Sequence, residues 1–154
     1  MTSSAARTLA SRLRSAADAL VAVIEPIDDD DWNRVPAPGT WSIGKEAEHV
    51  AEAAGYHQWI VRLSIGEKVS SRRPVLERRQ MTSVLSPREA AELIRQRADE
   101  GARLLLDLTD AQLALPTRPP RATAQVVADA IDQILISHID THREAIEAKL
   151  RGQV

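Results

Sequence analysis

Residues 42–65 read SIGKEAEHVAEAAGYHQWIVRLSI. Ile43, Ala47, Val50, Ala54 and Val61 recur at helical spacing, and Glu46, His49, Ala53, Tyr56, Ile60 and Leu63 form an adjoining stripe. The spacing predicts a helix from about Ser42 to about Ile65, and apolar contact this broad places it at the centre of a bundle. Upstream, Leu9, Leu13, Ala16, Leu20, Val23 and Ile27 mark a first helix from about Ser4 to Glu25. Ser3 or Ser4 can cap it, and Pro26 ends it. Between the two helices, residues 28–40 carry an acidic run, Trp32, Pro36, Pro38 and Gly39, the composition of an ordered loop pinned by its tryptophan.

Downstream, Gly66 to Leu85 holds Lys68, Arg72, Arg73, Arg78 and Arg79 and is broken by Pro74. It reads as a long crossover with at most one turn of helix, and loops of that length in compact domains tend to be functional or mobile. Ser86-Pro87-Arg88-Glu89 is a capping box with proline at the first helical position. The third helix then buries Ala90, Ile94, Ala98, Ala102, Leu105 and Leu108. Gly101 costs it about 1 kcal/mol relative to alanine, which marks a close approach by another helix. After Pro116, Pro119 and Pro120, Thr123 is the expected cap of a fourth helix reaching about Leu150. Its stripe is Val127, Ile131, Ile134, His138, His142, Ala145 and Ile146. With no strand-like alternation, the fold class is all-α: a four-helix bundle with a long crossover between helices two and three, and one domain over residues 1–154.

The chain has 154 residues, a net charge of −2 and no cysteine. The first suits one domain with a real core. The second argues against nucleic acid as a partner. The third excludes disulfides, thiolate metal sites and a cysteine nucleophile. Residues 1–7 show no basic segment leading into an apolar run, and no stretch approaches the roughly 20 apolar residues of a membrane span. A cytoplasmic protein without membrane contact is the expectation. The excess of arginine (17) over lysine (3) fits the coding bias of GC-rich bacterial genomes.

Of the four histidines, His138 and His142 stand four residues apart, one turn along a single helix face. Two imidazoles so placed can bind one ion in cis. Because they fall within the apolar stripe they are expected to point into the bundle, where they need a partner. His49 on helix two is the candidate third ligand. Three imidazoles leave an open coordination position, the hallmark of catalytic rather than structural sites. His57 lies about 12 Å along the helix axis from His49, too far to share the ion, and reads as packing or substrate contact. The competing reading is ordinary hydrogen-bonded or surface histidines.

Glu46 and Glu52, three residues either side of His49, are candidates for a further ligand, an orienting carboxylate or a general base, though isolated carboxylates are mostly solvated. Asp140 points away from the histidines. Arg72 and Arg73 of the crossover are candidates for binding an anionic substrate or cofactor carboxylate, and Arg143 is turned about 100° from His142. Trp32, Trp41 and Trp59 read as core or interface anchors. The Asp28–Asp31 run lacks the spaced ligands of a calcium loop. No nucleophile elbow and no glycine-rich phosphate loop is present.

Three elements also resemble a known family. These are Trp41-Ser42 followed by His49, the lead-in Asp31-Trp32 with Pro36, Pro38 and Gly39, and the late His138-x-x-x-His142-Arg143. In this order and over nearly the whole chain they resemble the DinB/YfiT-like superfamily. The resemblance implies an up-down-down-up bundle and a divalent metal, often nickel or zinc, on His49, His138 and His142. It further implies frequent homodimers, and relatives that include thiol-dependent S-transferases and a mycothiol-dependent maleylpyruvate isomerase. Where many relatives continue His-Arg-Gly-Gln, this chain has His142-Arg143-Glu144-Ala145. The expected function is a metal-dependent transferase or isomerase that uses a low-molecular-weight thiol such as mycothiol on a small electrophile. The alternative is a non-catalytic helical binding or stress-response module whose metal site is structural, inactive or empty.

Overall fold

The computed structural model describes residues 3–70, 72 and 74–153. Its elements are α1 (Ser4–Ile24), α2 (Asp29–Trp32), α3 (Ile43–Ser64), α4 (Pro87–Leu106), α5 (Asp110–Leu113), α6 (Val127–Asp129), a π-helical segment (Ala130–Ile136) and α7 (Ser137–Leu150). The last three run on without a break as the fourth long helix. No strand forms among the described residues.

Helix ends follow the capping chemistry. Ser3 accepts from the Ala6 amide at the start of α1, and Ser42 from the Lys45 amide at the start of α3. The Ser86–Glu89 capping box closes in both directions. Asp28 caps a short helix that the acidic run forms in the lead-in loop, where three carboxylates in the first turn suit its dipole. This helix and α5 fall in segments expected to be loops.

Four long helices form an up-down-down-up bundle. α1 runs antiparallel to α4: the Ser3 amide meets the Leu108 carbonyl, and Arg14 pairs with Asp99. α3 lies parallel to α4, which requires the long crossover, and the Gln58 amide donates to the Arg97 carbonyl at 2.8 Å. α7 runs antiparallel to α3, pairing Lys149 with Glu46 near the start of α3. One apolar cluster joins all of these, including Leu13, Leu20, Val50, Ile94, Leu105, Ile131 and Ile146. Gly101 sits where α1 and α3 both press on α4. A Cβ there would lie 2.8 Å from Leu13 Cδ2 and 3.1 Å from Gln58 Nε2.

Three loop tethers shape the end of the bundle that carries the start of α3. Trp32 is buried and its indole N–H donates to the Leu85 carbonyl at 2.7 Å. Gly44 makes room for it, since a Cβ would stand 2.6 Å from Trp32 Nε1. Asn33 accepts from the Ser83 amide and donates to its carbonyl, and the Ser42 amide donates to Met81. The lead-in and the end of the crossover are therefore one knit unit over the N-terminus of α3. Trp59 is partly exposed and anchors the other end of the crossover through Ser70. No helical turn forms in the described part of the crossover.

The fourth helix departs from expectation twice. It begins at Val127, because residues 115–117 pair with 124–127: Thr117 N–H donates to Gln125 and Val127 N–H to Leu115. This pairing holds Val126 extended and leaves Thr123 exposed in the loop, so Thr123 caps nothing. The π-helical segment then widens the turn. Leu135, Ile136 and Ile139 take the buried positions in place of Ile134, which is only partly buried. His138 and His142 consequently lie beside the apolar stripe, facing α3, rather than within it.

Candidate metal centre

α3 and α7 place His49, His138 and His142 so that one ring nitrogen from each lies within 4.8 Å of the others. His138 and His142 are partly exposed, and His49 is buried. The ring centroids of His49 stand 5.1 Å from His138 and 5.0 Å from His142. The facing Nε2 atoms of His138 and His142 are 3.2 Å apart. Two nitrogens bound tetrahedrally at about 2.0–2.1 Å from one ion would stand about 3.3 Å apart, so the pair already has the spacing of ligands. His49 Nδ1 is buried without a hydrogen-bond partner.

Glu46 lies on the face of α3 shared with His49 and is buried. One oxygen accepts from His142 Nδ1 and the other from the Lys149 ammonium. Burial would raise its carboxyl, but these two hydrogen bonds overcome that and hold it below its ordinary value. A carboxylate can only accept, so His142 Nδ1 carries the proton of this bond, and Nε2 is the nitrogen turned toward His138. This is the carboxylate–imidazole arrangement that orients metal-binding histidines. Both Glu46 oxygens are engaged by these bonds, and the expectation of a solvated side chain does not hold for it. Lys149 stands seven residues after His142 and so on its face, and that spacing is its one signal in the sequence.

Trp41 is a partly exposed wall of the site, with its ring 4.9 Å from His49 and 6.4 Å from His142. On the other side the buried His57 presents its ring edge to His138 at 4.9 Å. His57 is outside the cluster of nitrogens, yet it borders it.

The remaining candidates part company with the histidines. Glu52 is partly buried, and its neighbours are Lys45, Glu48 and Glu77 beneath the crossover. Burial raises its carboxyl, with Lys45 opposing. Lys45 is fully buried, its ammonium 3.7 Å from Glu48. Arg72 is exposed, and Arg73 lies outside the described residues. Among the described residues of the crossover, Arg78 is the cation that influences the site, helping to depress both His49 and His138. Asp140 and Arg143 pair with each other at 3.7 Å.

Burial, then the neighbouring His142 and Arg78, pushes His49 down to about 4. Burial, then His142 and His57, pushes His138 down to about 3. Burial, then Arg121, pushes His57 down to about 4. All three are neutral at pH 7 and offer lone pairs. The unfolded chain takes up these protons near pH 6.5, whereas the folded chain resists until pH 3–4. Stability is therefore full above pH 6.5 and falls as pH drops toward 4. Urea midpoints of the metal-free protein at pH 7.5, 6 and 4.5 should decline in that order, and His57→Gln should flatten the decline. A midpoint unchanged across the range contradicts this assignment.

No helix among the described residues is long and apolar enough to cross a membrane. No curated protein and no solved structure matches the chain. The DinB superfamily model matches residues 12–146, a span that contains all three clustered histidines, Glu46 and most of the bundle, and the chain therefore belongs to the DinB superfamily.

Proposed function

We propose that the protein is a divalent-metal-dependent enzyme that activates a low-molecular-weight thiol for attack on a small electrophile, as a transferase or isomerase, with His49, His138 and His142 holding zinc or nickel. The observation that carries this is the closure of three imidazoles from α3 and α7 within 4.8 Å, one of them hydrogen-bonded to Glu46. Among the described residues no fourth histidine or carboxylate joins the cluster, and a three-ligand site keeps a position for an incoming group. When bound, the ion supplies Lewis acidity that lowers the pKa of a thiol or water offered from outside. Glu46 fixes the tautomer of His142 and offsets the Lys149 charge. Trp41 and His57 flank the centre and limit access of water. The thiol comes from solution because the chain has no cysteine, and mycothiol is the first to try. The protein is read as a single cytoplasmic domain acting on a small molecule, with a homodimer as the assembly to test.

The experiment follows free-thiol loss in the presence of an arylating electrophile, 1-chloro-2,4-dinitrobenzene, and mycothiol or glutathione. Sulfur bonds to the ring carbon, chloride leaves with its electron pair, and the thiol proton passes to solvent. Zinc- or nickel-loaded wild type should exceed both the metal-free protein and loaded His142→Ala at least tenfold. Equal rates in all three would leave the non-catalytic module as the reading.

A further inference from the structure

Beside the histidine cluster lies a second polar group that the metal reading does not use. Arg121 comes from the proline-bearing connection ahead of α6. Its guanidinium donates to the Tyr56 hydroxyl at 2.9 Å and stands 6.0 Å over the tyrosine ring. Its Nε–H is buried without an acceptor. Next to it, His57 is more than nine-tenths buried, and its Nδ1 has no partner. The rings of Tyr56 and His57 are 5.7 Å apart. After burial, Arg121 is the strongest influence on His57. Among the described residues no carboxylate forms an ion pair with Arg121.

A guanidinium with an idle N–H, close to an imidazole with an unpartnered nitrogen, lacks one thing: an oxyanion acceptor. The planar donor fork of arginine matches a carboxylate best. We propose that Arg121, positioned by Tyr56, and His57 form a carboxylate subsite that holds one end of a small acid while its other end faces the three histidines. His57 supplies the link, because its ring is 4.9 Å from that of His138. A short carbon chain spans that interval. The subsite stands on its own residues. Only the claim that the bound acid reacts at the centre rests on the function proposed above. The acid is either the thiol itself or the electrophile.

The test uses the full-length, metal-free protein with ¹⁵N-labelled histidine rings. Acetate should shift the His57 ring signals saturably, and acetamide, its uncharged counterpart, should not. Arg121→Gln should weaken acetate at least tenfold, and Arg121→Lys, which keeps the charge but loses the fork, should fall between. Tyr56→Phe should weaken it less than Arg121→Gln. Circular dichroism and thermal midpoints establish that each variant is folded. The same titration with mercaptoacetate and with acrylate names the source, since Arg121 dependence for one of them assigns the subsite to thiol or to electrophile. Acetate and acetamide acting alike, or a folded Arg121→Gln protein binding acetate as wild type does, overturns the proposal. Because no metal is present, these outcomes are independent of whether the three histidines bind an ion.

Discussion

Glu46→Gln lowers zinc affinity about 10–100-fold, the range found when an orienting carboxylate behind a metal-binding histidine is removed. The cause is specific. Glu46 is the acceptor for His142 Nδ1 and the counter-charge for Lys149, whose side chain is 10 % exposed. Glutamine keeps the shape but not the charge. Its amide can present an N–H where His142 needs an acceptor, which releases the ring and its tautomer. The Lys149 ammonium is left nearly buried and unpaired, so a loss of about 3–5 kcal/mol in stability accompanies the loss of affinity. Glu46→Gln combined with Lys149→Met removes the stranded charge. The double variant should recover stability while affinity stays low. Zinc titration by competition with a chromophoric chelator, beside urea denaturation, reads both. Wild-type affinity in the single variant would mean that His142 is oriented by something else.

Trp32→Ala should cost about 3–5 kcal/mol, the range for truncating a buried large aromatic. Trp32 fills the space above Gly44 and binds the Leu85 carbonyl, so its loss opens a cavity and frees the end of the crossover together. Trp32→Phe keeps part of the volume and loses only the hydrogen bond and the outer ring, so it should cost less than half as much. Urea denaturation of the metal-free proteins measures both. An alanine variant within about 0.5 kcal/mol of wild type, the size of an ordinary surface change, would show that the lead-in is not held by this side chain.

Much of this architecture is legible in the chain because it is encoded locally. The Ser86 box, the Pro87 start, the Pro26 stop and the i, i+4 spacing of His138 and His142 each act within a turn or two of helix. Trp32 and Gly101 announce close packing by their residue type alone. What the chain conceals is set at a distance. The fourth helix starts at Val127 because backbone pairing with residues 115–117 overrides the capping power of Thr123. The π-helical segment moves the histidines off the apolar stripe, and periodicity counted at a constant 3.6 residues per turn misses this. Glu46 looks like any helix glutamate until its partners, 96 and 103 residues away in sequence, are in place. Of the two loop arginines chosen as candidates, Arg72 is exposed, and it is Arg78 that influences the imidazoles. Nothing in composition ranks one cation of that segment above another.

The central claim is that His49, His138 and His142 hold one divalent ion. Its most direct test is metal content by plasma mass spectrometry on untagged protein, reconstituted with zinc or nickel and desalted, beside His49→Ala and the His138→Ala/His142→Ala variant. The account predicts about one ion per wild-type chain and none in either variant, with helical content retained in both. Wild type without an ion after reconstitution, or variants that retain it, would contradict the account.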